Sequence, residues 1–328
     1  MELLRFTTKG IYCEQAGVYI DPVRCVDKAL ITHAHSDHAI AGHRHYLATQ
    51  QTALLLRHRL GKKPLIQGIA YNYPIKINGV TVSFHPAGHV FGSAQIRLEY
   101  KGEVWVVSGD YKLIHDRISE PFEPVKCHTF VTESTFGMPR FVWEPQETIF
   151  HKINSWWQRN KEEGRISILM GYPLGKSQHL LAFLSEFGGN IYVHNETELI
   201  NQIIRNAGAK LAAFSIYNKH SKEKDLIGAL MIAPPSIRKS PWRYHLKNYS
   251  LAMVSGWISA KKGRQQNLFG DSGFALSDHA DFPGLVQAVT STGAERIITI
   301  HGYAAQFARV LHEMGFRAET ALFNKGKV

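Results

Sequence analysis

Cysteine is scarce in this chain: Cys13, Cys25 and Cys127 are the only three in 328 residues, widely spaced and forming no CxxC pair. That odd, scattered set excludes a disulfide scaffold and a thiolate zinc site, and it predicts reduced, part-buried thiols. Long apolar runs are missing as well. No stretch reaches the roughly 20 residues of a membrane-spanning helix, and Met1–Gly10 has no apolar signal core. The expectation is a cytoplasmic protein with no membrane partner. Acidic residues are in short supply too, with 27 Asp and Glu against 38 Lys and Arg, a formal charge of +11. Repeats and low-complexity tracts are absent.

The basic excess is unevenly spread. Residues 201–264 hold twelve Lys and Arg (Arg205, Lys210, Lys219, Lys222, Lys224, Arg238, Lys239, Arg243, Lys247, Lys261, Lys262, Arg264) against Glu223 and Asp225, a net +10. Such a face attracts polyphosphate backbones. A solvated, solubilising surface is the bland alternative for a basic run alone. Here Trp242, Tyr244 and Tyr249 interleave with the cations and could stack on bases, which favours nucleic acid as the partner.

With 44% hydrophobic residues the chain can bury a large core, and its length suggests two structural units. Up to about residue 135 the pattern reads as hairpins and short strands. Asn78-Gly79 and Lys101-Gly102 mark two tight turns, and 49–59 is helical by pattern. Beyond that point helix and strand alternate: a helix over 145–160, a strand at 166–170, a helix from Lys176, a strand at 191–193 and a helix from Glu196. Strands return at 251–255, 273–277 and 296–300. The simplest parse is an α/β chain in which a sandwich domain, residues 1–145 and 256–328, is interrupted by an inserted α/β domain, residues 146–255.

Chemistry concentrates at strand ends. Immediately after the apolar segment Ala29–Thr32, the run His33-Ala-His35-Ser-Asp37-His38 places four ligand types in six residues. His33 and His35 can serve one metal, and Asp37 and His38 another. Imidazole nitrogen with carboxylate oxygen suits Zn²⁺ first and Mn²⁺ second. Among 18 histidines, coincidence is easy, so position must select the remaining candidates. His89, Asp110, Glu133, His279 and His301 each stand just past a strand, most beside small residues that let the backbone approach a ligand. His43, His45 and His85 lie near these residues but off the pattern.

The ordered set HxHxDH, AGHxxGSA, SGDY, the acid in TEST, SDHAD and IHG resembles the motifs of the metallo-β-lactamase fold, β-CASP branch. The likeness runs from about Asp21 to His301. The opening Gly10–Glu14, Thr129–Gly137 and Val254–Trp257 are most similar to the bacterial ligase-associated DNA exonucleases. The resemblance implies an αββα sandwich with an inserted β-CASP domain. It implies that His33, His35 and His89 hold one divalent ion, that Asp37, His38 and His301 hold a second, and that Asp110 bridges them. Asp21 would support the ligands from behind. Asp37 and Asp110 would serve catalysis, with His279, oriented by Glu133, as the acid that protonates the departing sugar oxygen, leaving a 5′-phosphate and a 3′-hydroxyl. Lys176 and Ser177 resemble the start of a phosphate-facing helix of the inserted domain, with an ordinary helix N-cap as the alternative reading. Ser134 and Thr135 could touch a terminal phosphate, and a strand-end turn explains them equally well.

The function implied is a two-metal nuclease acting on DNA, a 5′-end-directed exonuclease in repair with DNA ligase as functional partner. An RNA-processing nuclease of the RNase J type is the alternative. A small-molecule hydrolase of the same fold needs neither the basic segment nor the Glu133/His279 pair, and a non-catalytic scaffold would have lost ligands that this chain keeps.

Overall fold

The computed structural model describes residues 2–218, 220–239, 246–260 and 270–323. Lys219, Trp242, Arg243, Tyr244, Lys261, Lys262 and Arg264 of the basic segment lie outside the described residues. Two compact units account for the chain. The first comprises Met1–His115, Ser119–Val142 and His279–Val328; the second comprises Asp116–Ile118 and Trp143–Asp278. The expected return at residue 256 therefore falls 23 residues before His279, where the first unit resumes. The reason is strand Ser272–Phe274, which pairs parallel with Tyr249–Val254 and keeps that stretch in the inserted sheet. The strand expected at 273–277 is confined to those three residues.

The first unit is two facing sheets. One has six strands in the order Arg5–Thr7, Gly10–Cys13, Val18–Ile20, Lys28–Leu30, His45–Thr49, Leu65–Ile69. The other has seven, in the order Arg317–Thr320, Arg296–Ile300, Thr129–Glu133, Glu103–Val107, Ala94–Tyr100, Val80–Pro86, Ile75–Ile77. The alternating apolar residues of both, among them Ile11, Ile20 and Leu30 from one and Phe84, Ile96, Leu98 and Trp105 from the other, interlock in one buried cluster. Helices Phe282–Thr292 and Ala304–Glu313 cover the seven-stranded sheet through Leu285, Val289, Phe307 and Leu311. Helix Gln50–Leu60, capped by the Thr49 hydroxyl, packs on the last two strands of the six-stranded sheet. Asn78-Gly79 and Lys101-Gly102 adopt the left-handed pairs expected of two-residue hairpin turns.

The second unit is an all-parallel sheet in the order Ser215–Tyr217, Ile191–His194, Leu230–Ala233, Ile166–Met170, Tyr249–Val254, Ser272–Phe274. Its central strands are buried on both faces, as parallel sheets flanked by helices require. Trp156 and Trp157 of helix Gln146–Glu162 belong to its core. No helix among the described residues is long and apolar enough to cross a membrane.

Candidate metal centre

Strand direction explains why distant residues meet in the first unit. Strands Glu103–Val107, Thr129–Glu133 and Arg296–Ile300 run parallel, with Val107 opposite Val131 and Glu133 opposite Ile300. Strand Val80–Pro86 is two antiparallel pairings away from Glu103–Val107 and so points the same way. The chain therefore leaves all four strands at one edge, just before His89, Asp110, Glu133–Thr135 and His301. The six-stranded sheet is joined to that edge by the Ala94 N–H, which donates to Thr32 O at 2.8 Å, and this sets His33 beside it. Gly109 permits the approach. It has φ +57°, and a Cβ there would stand 2.6 Å from Thr32 Cβ.

The result is a tight ring. His35 Nδ1 lies 3.1 Å from His33 Nε2 and 3.2 Å from His89 Nε2. An imidazole nitrogen carries one N–H or one in-plane lone pair, so hydrogen bonding accommodates one of these neighbours and not both. A shared cation answers both: Zn–N bonds of about 2.0–2.1 Å in a tetrahedron separate ligand atoms by about 3.3–3.4 Å. Asp110 Oδ2 is 3.7 Å from both His33 Nε2 and His89 Nε2. Ligand atoms of His33, His35, His89 and Asp110 all fall within 4.8 Å of one another. Three imidazoles and a carboxylate at these spacings fit a divalent transition metal.

The same Asp110 oxygen, Oδ2, also meets a second group. His38 Nε2 is 3.3 Å from Asp110 Oδ2 and 3.9 Å from Asp37 Oδ2, and the His301 ring centroid is 5.7 Å from that of His38. Asp37 and His301 are exposed, whereas His38 is buried. Asp21 stands behind: it accepts from the Thr32 N–H at 2.8 Å and from the Thr32 hydroxyl, and its Oδ2 lies 2.8 Å from His38 Nδ1. With Nδ1 on Asp21, His38 turns Nε2 toward Asp110.

Burial, reinforced by charge on His38, His35 and His89, pushes His33 well below the ordinary imidazole range. Burial opposes charge on His38 as well, yet Asp110 and Asp21 hold it well above that range. Burial likewise disfavours the Asp110 carboxylate, but His38 and His279 hold its pKa well below the usual one. In the metal-free protein, a positive charge on His38 therefore neutralises Asp110.

Glu133 is fully buried and commits both oxygens locally. They lie 3.0 and 3.2 Å from His279 Nδ1, and they accept from the Tyr111 N–H at 2.9 Å and the Thr135 N–H at 3.3 Å. Ligand-type atoms of Asp110, Glu133 and His279 also lie within 4.8 Å, but these bonds assign Glu133 to orienting the imidazole. With Nδ1 on Glu133, proton exchange by His279 with any other group runs through Nε2. The ring centroid lies 4.7 Å from that of His89, with the two planes inclined at 49°.

Other expected residues are placed differently. Lys176 is buried, with its ammonium 2.8 Å from Asp278 Oδ1 and donating to Leu276 O at 2.9 Å. The Ser177 hydroxyl donates to Tyr172 O at 2.8 Å, and the Gly175 N–H donates to Gln178 Oε1 at 2.7 Å. The polar groups at this helix start are thus engaged within their own unit, which argues against the phosphate-facing expectation. Ser134 is likewise turned inward, onto Ile300 O and His301 O. His43 accepts from Val26, His45 lies on Asp27 and His85 on Ser83, none of them ring members. Two residues escaped the sequence reading: Thr32, which anchors Asp21, and Ser108, whose hydroxyl accepts from the Glu133 N–H at 3.1 Å. Their adjacency to His33 and Asp110 was the available signal. Of the basic residues, Arg205, Lys210, Lys222, Lys224, Lys239 and Lys247 are exposed, Arg238 is half-buried, and Tyr249 packs partly against the core.

No family model matches the chain. It is 33% identical over 315 residues to the "Probable DNA ligase" of Opitutus terrae, covering 94% of this chain and 30% of that protein. It is 30% identical over 173 residues to "Endoribonuclease YSH1" of Gibberella zeae, covering 51% and 20% respectively. To "Cleavage and polyadenylation specificity factor subunit 3" of Dictyostelium discoideum it is 29% identical over 124 residues, 37% and 16%. The chain spans less than a third of each of these relatives. A crystal structure of a protein of unknown function from Enterococcus faecalis V583 shares the fold, with a TM-score of 0.61 at 14% identity over 91% of this chain and 80% of that one. Over nearly all of its length, then, the chain is homologous to one segment of a protein named as a DNA ligase, and over shorter stretches to proteins named as endoribonucleases.

Proposed function

We propose that the protein is a two-metal phosphodiesterase of the metallo-β-lactamase fold, β-CASP branch, cutting DNA from a 5′ end in repair alongside a ligase. The first unit would be the metallo-β-lactamase domain and the second the β-CASP insertion. The observation that carries the reading is the His33/His35/His89/Asp110 ring standing beside a Glu133–His279 pair on one strand edge. A metal ring alone would suit many hydrolases. A buried carboxylate orienting an imidazole beside it adds the acid that an alkoxide leaving group needs.

His33, His35 and His89 would hold one ion and Asp37, His38 and His301 the other, with Asp110 between them; Zn²⁺ fits the donors best, and Mn²⁺ next. When bound, such ions lower the pKa of water and offset negative charge gathering on the phosphate. His279 delivers a proton through Nε2 to the departing 3′ oxygen while Glu133 holds its Nδ1. Asp21 keeps His38 turned toward Asp110. The exposed cations of residues 201–264 raise the local concentration of a polyanionic strand. The name of the Opitutus terrae relative supports DNA and a ligase setting. The names of the YSH1-type relatives support an RNA reading, which is the second one we retain.

The test compares 5′-phosphorylated, 5′-hydroxyl and circular single strands of DNA and RNA with added Mn²⁺ or Zn²⁺. We expect degradation of linear DNA from the 5′ end. Cutting of circles would overturn the exonuclease reading, and a preference for RNA would overturn the DNA one.

A further inference from the structure

Ser134 follows Glu133 on strand Thr129–Glu133, and His301 follows Ile300 on the neighbouring parallel strand, with Glu133 directly opposite Ile300. The two residues leave the sheet side by side. The Ser134 hydroxyl is fully buried and lies 2.8 Å from both Ile300 O and His301 O. Both partners are carbonyl oxygens, so the hydroxyl is the donor, shared between them. The Ser134 carbonyl in turn accepts from the Tyr303 N–H at 2.8 Å. Ser134 thus grips the turn from both sides of His301.

That turn needs gripping. His301 has φ +58° and Gly302 φ +50°, two successive left-handed residues, the first of which carries a side chain. Such a conformation persists when its surroundings over-determine it. Gly302 is held against the same segment, since a Cβ there would stand 2.4 Å from Thr135 Cα. The backbone so held carries the His301 ring, whose centroid lies 5.7 Å from that of His38.

We propose that Ser134 is a positioning residue for His301 and, through it, for the second metal position; the idea rests on the two-metal reading above. The first position draws on His33, His35, His89 and Asp110, none of which touches Ser134 through these bonds. Residues 133 and 134 would then divide the work of one strand end, Glu133 setting His279 and Ser134 setting His301.

Calorimetric titration of the metal-free full chain with Mn²⁺ tests this without reference to activity. Wild type is expected to take up two equivalents. Ser134→Ala should weaken the second by about 10–100-fold, the usual effect of losing an outer support of a ligand, and leave the first unchanged. His301→Ala should abolish the second event, and adding Ser134→Ala in that background should change nothing more. Glu133→Gln should leave both equivalents in place. Ser134→Cys, close in volume with a weaker donor, should give an intermediate second affinity and carries the test if the alanine variant does not fold. A second affinity unchanged in Ser134→Ala or Ser134→Cys overturns the proposal while the two-metal reading stands. So does a Ser134→Ala effect that persists without His301. Uptake of fewer than two equivalents by wild type instead overturns the two-metal reading, and the proposal with it.

Discussion

The two units treat the carboxyl ends of their parallel strands in opposite ways. In the second unit, the groups past Ile166–Met170 satisfy one another: Lys176 with Asp278, Ser177 with Tyr172, Gln178 with Gly175 and Asn201. In the first unit, ligand atoms of three imidazoles and a carboxylate crowd to within 4.8 Å of one another. Both edges carry histidine, lysine or acid after a strand and beside glycine. What separates the two edges is whether the polar groups close on each other or converge on one point, and of these two edges, among the described residues, the first is the one that does the latter.

If that contrast holds, substitutions in the two edges have different signatures. The largest effect short of removing the metal is expected from the acid pair. His279→Ala should reduce the single-turnover cleavage rate by about 10²–10⁴-fold, the range for a general acid, with Mn²⁺ uptake intact. A substrate with a better leaving group at the scissile bond should recover much of the loss. Weakened metal uptake by this variant would instead place His279 among the ligands.

Asp21→Asn should come next, lowering metal affinity by about 10–100-fold through loss of the His38 support. A pH series sharpens this. In the metal-free protein His38 is held above its ordinary range by Asp110 and Asp21, against burial. Its proton must leave before it can coordinate, so wild-type affinity should rise with pH until the raised His38 value is passed. The asparagine variant binds that proton less tightly, so its deficit should be widest at high pH and narrow as pH falls. A deficit constant with pH would mean that Asp21 acts without His38.

Lys176→Met should leave metal uptake unchanged. Removing one partner of a buried pair typically costs about 3–5 kcal/mol of stability, to be read by denaturant unfolding. If Lys176→Met instead weakened binding of a 5′-phosphorylated strand with stability unaltered, the inward placement of Lys176 would be wrong and the two edges would be alike.

Much of the first edge was legible in the sequence because its signals are local. His33 to His38 lie within six residues, and His89, Asp110, Glu133 and His301 each follow an apolar run that reads as a strand. Asn78-Gly79 specifies its turn by backbone preference alone. The second edge is less legible for the opposite reason. Gly175-Lys176-Ser177 has the look of a phosphate-facing helix start, and nothing near it announces that Asp278, a hundred residues on, neutralises the lysine. The end of the inserted unit was missed similarly, because strand Ser272–Phe274 has three residues and is held by its partner rather than by its own pattern. Contacts of long sequence separation decide such points, and periodicity does not record them.

The central claim is that the first edge holds the ions that make the protein a phosphodiesterase. Its most direct test is to strip the protein with a chelator and add Mn²⁺ stepwise while following cleavage of an end-labelled single strand. The account predicts no cleavage by the stripped protein, recovery as two equivalents bind, and no recovery in Asp110→Asn. Undiminished cleavage after stripping, or full recovery in Asp110→Asn, would contradict it.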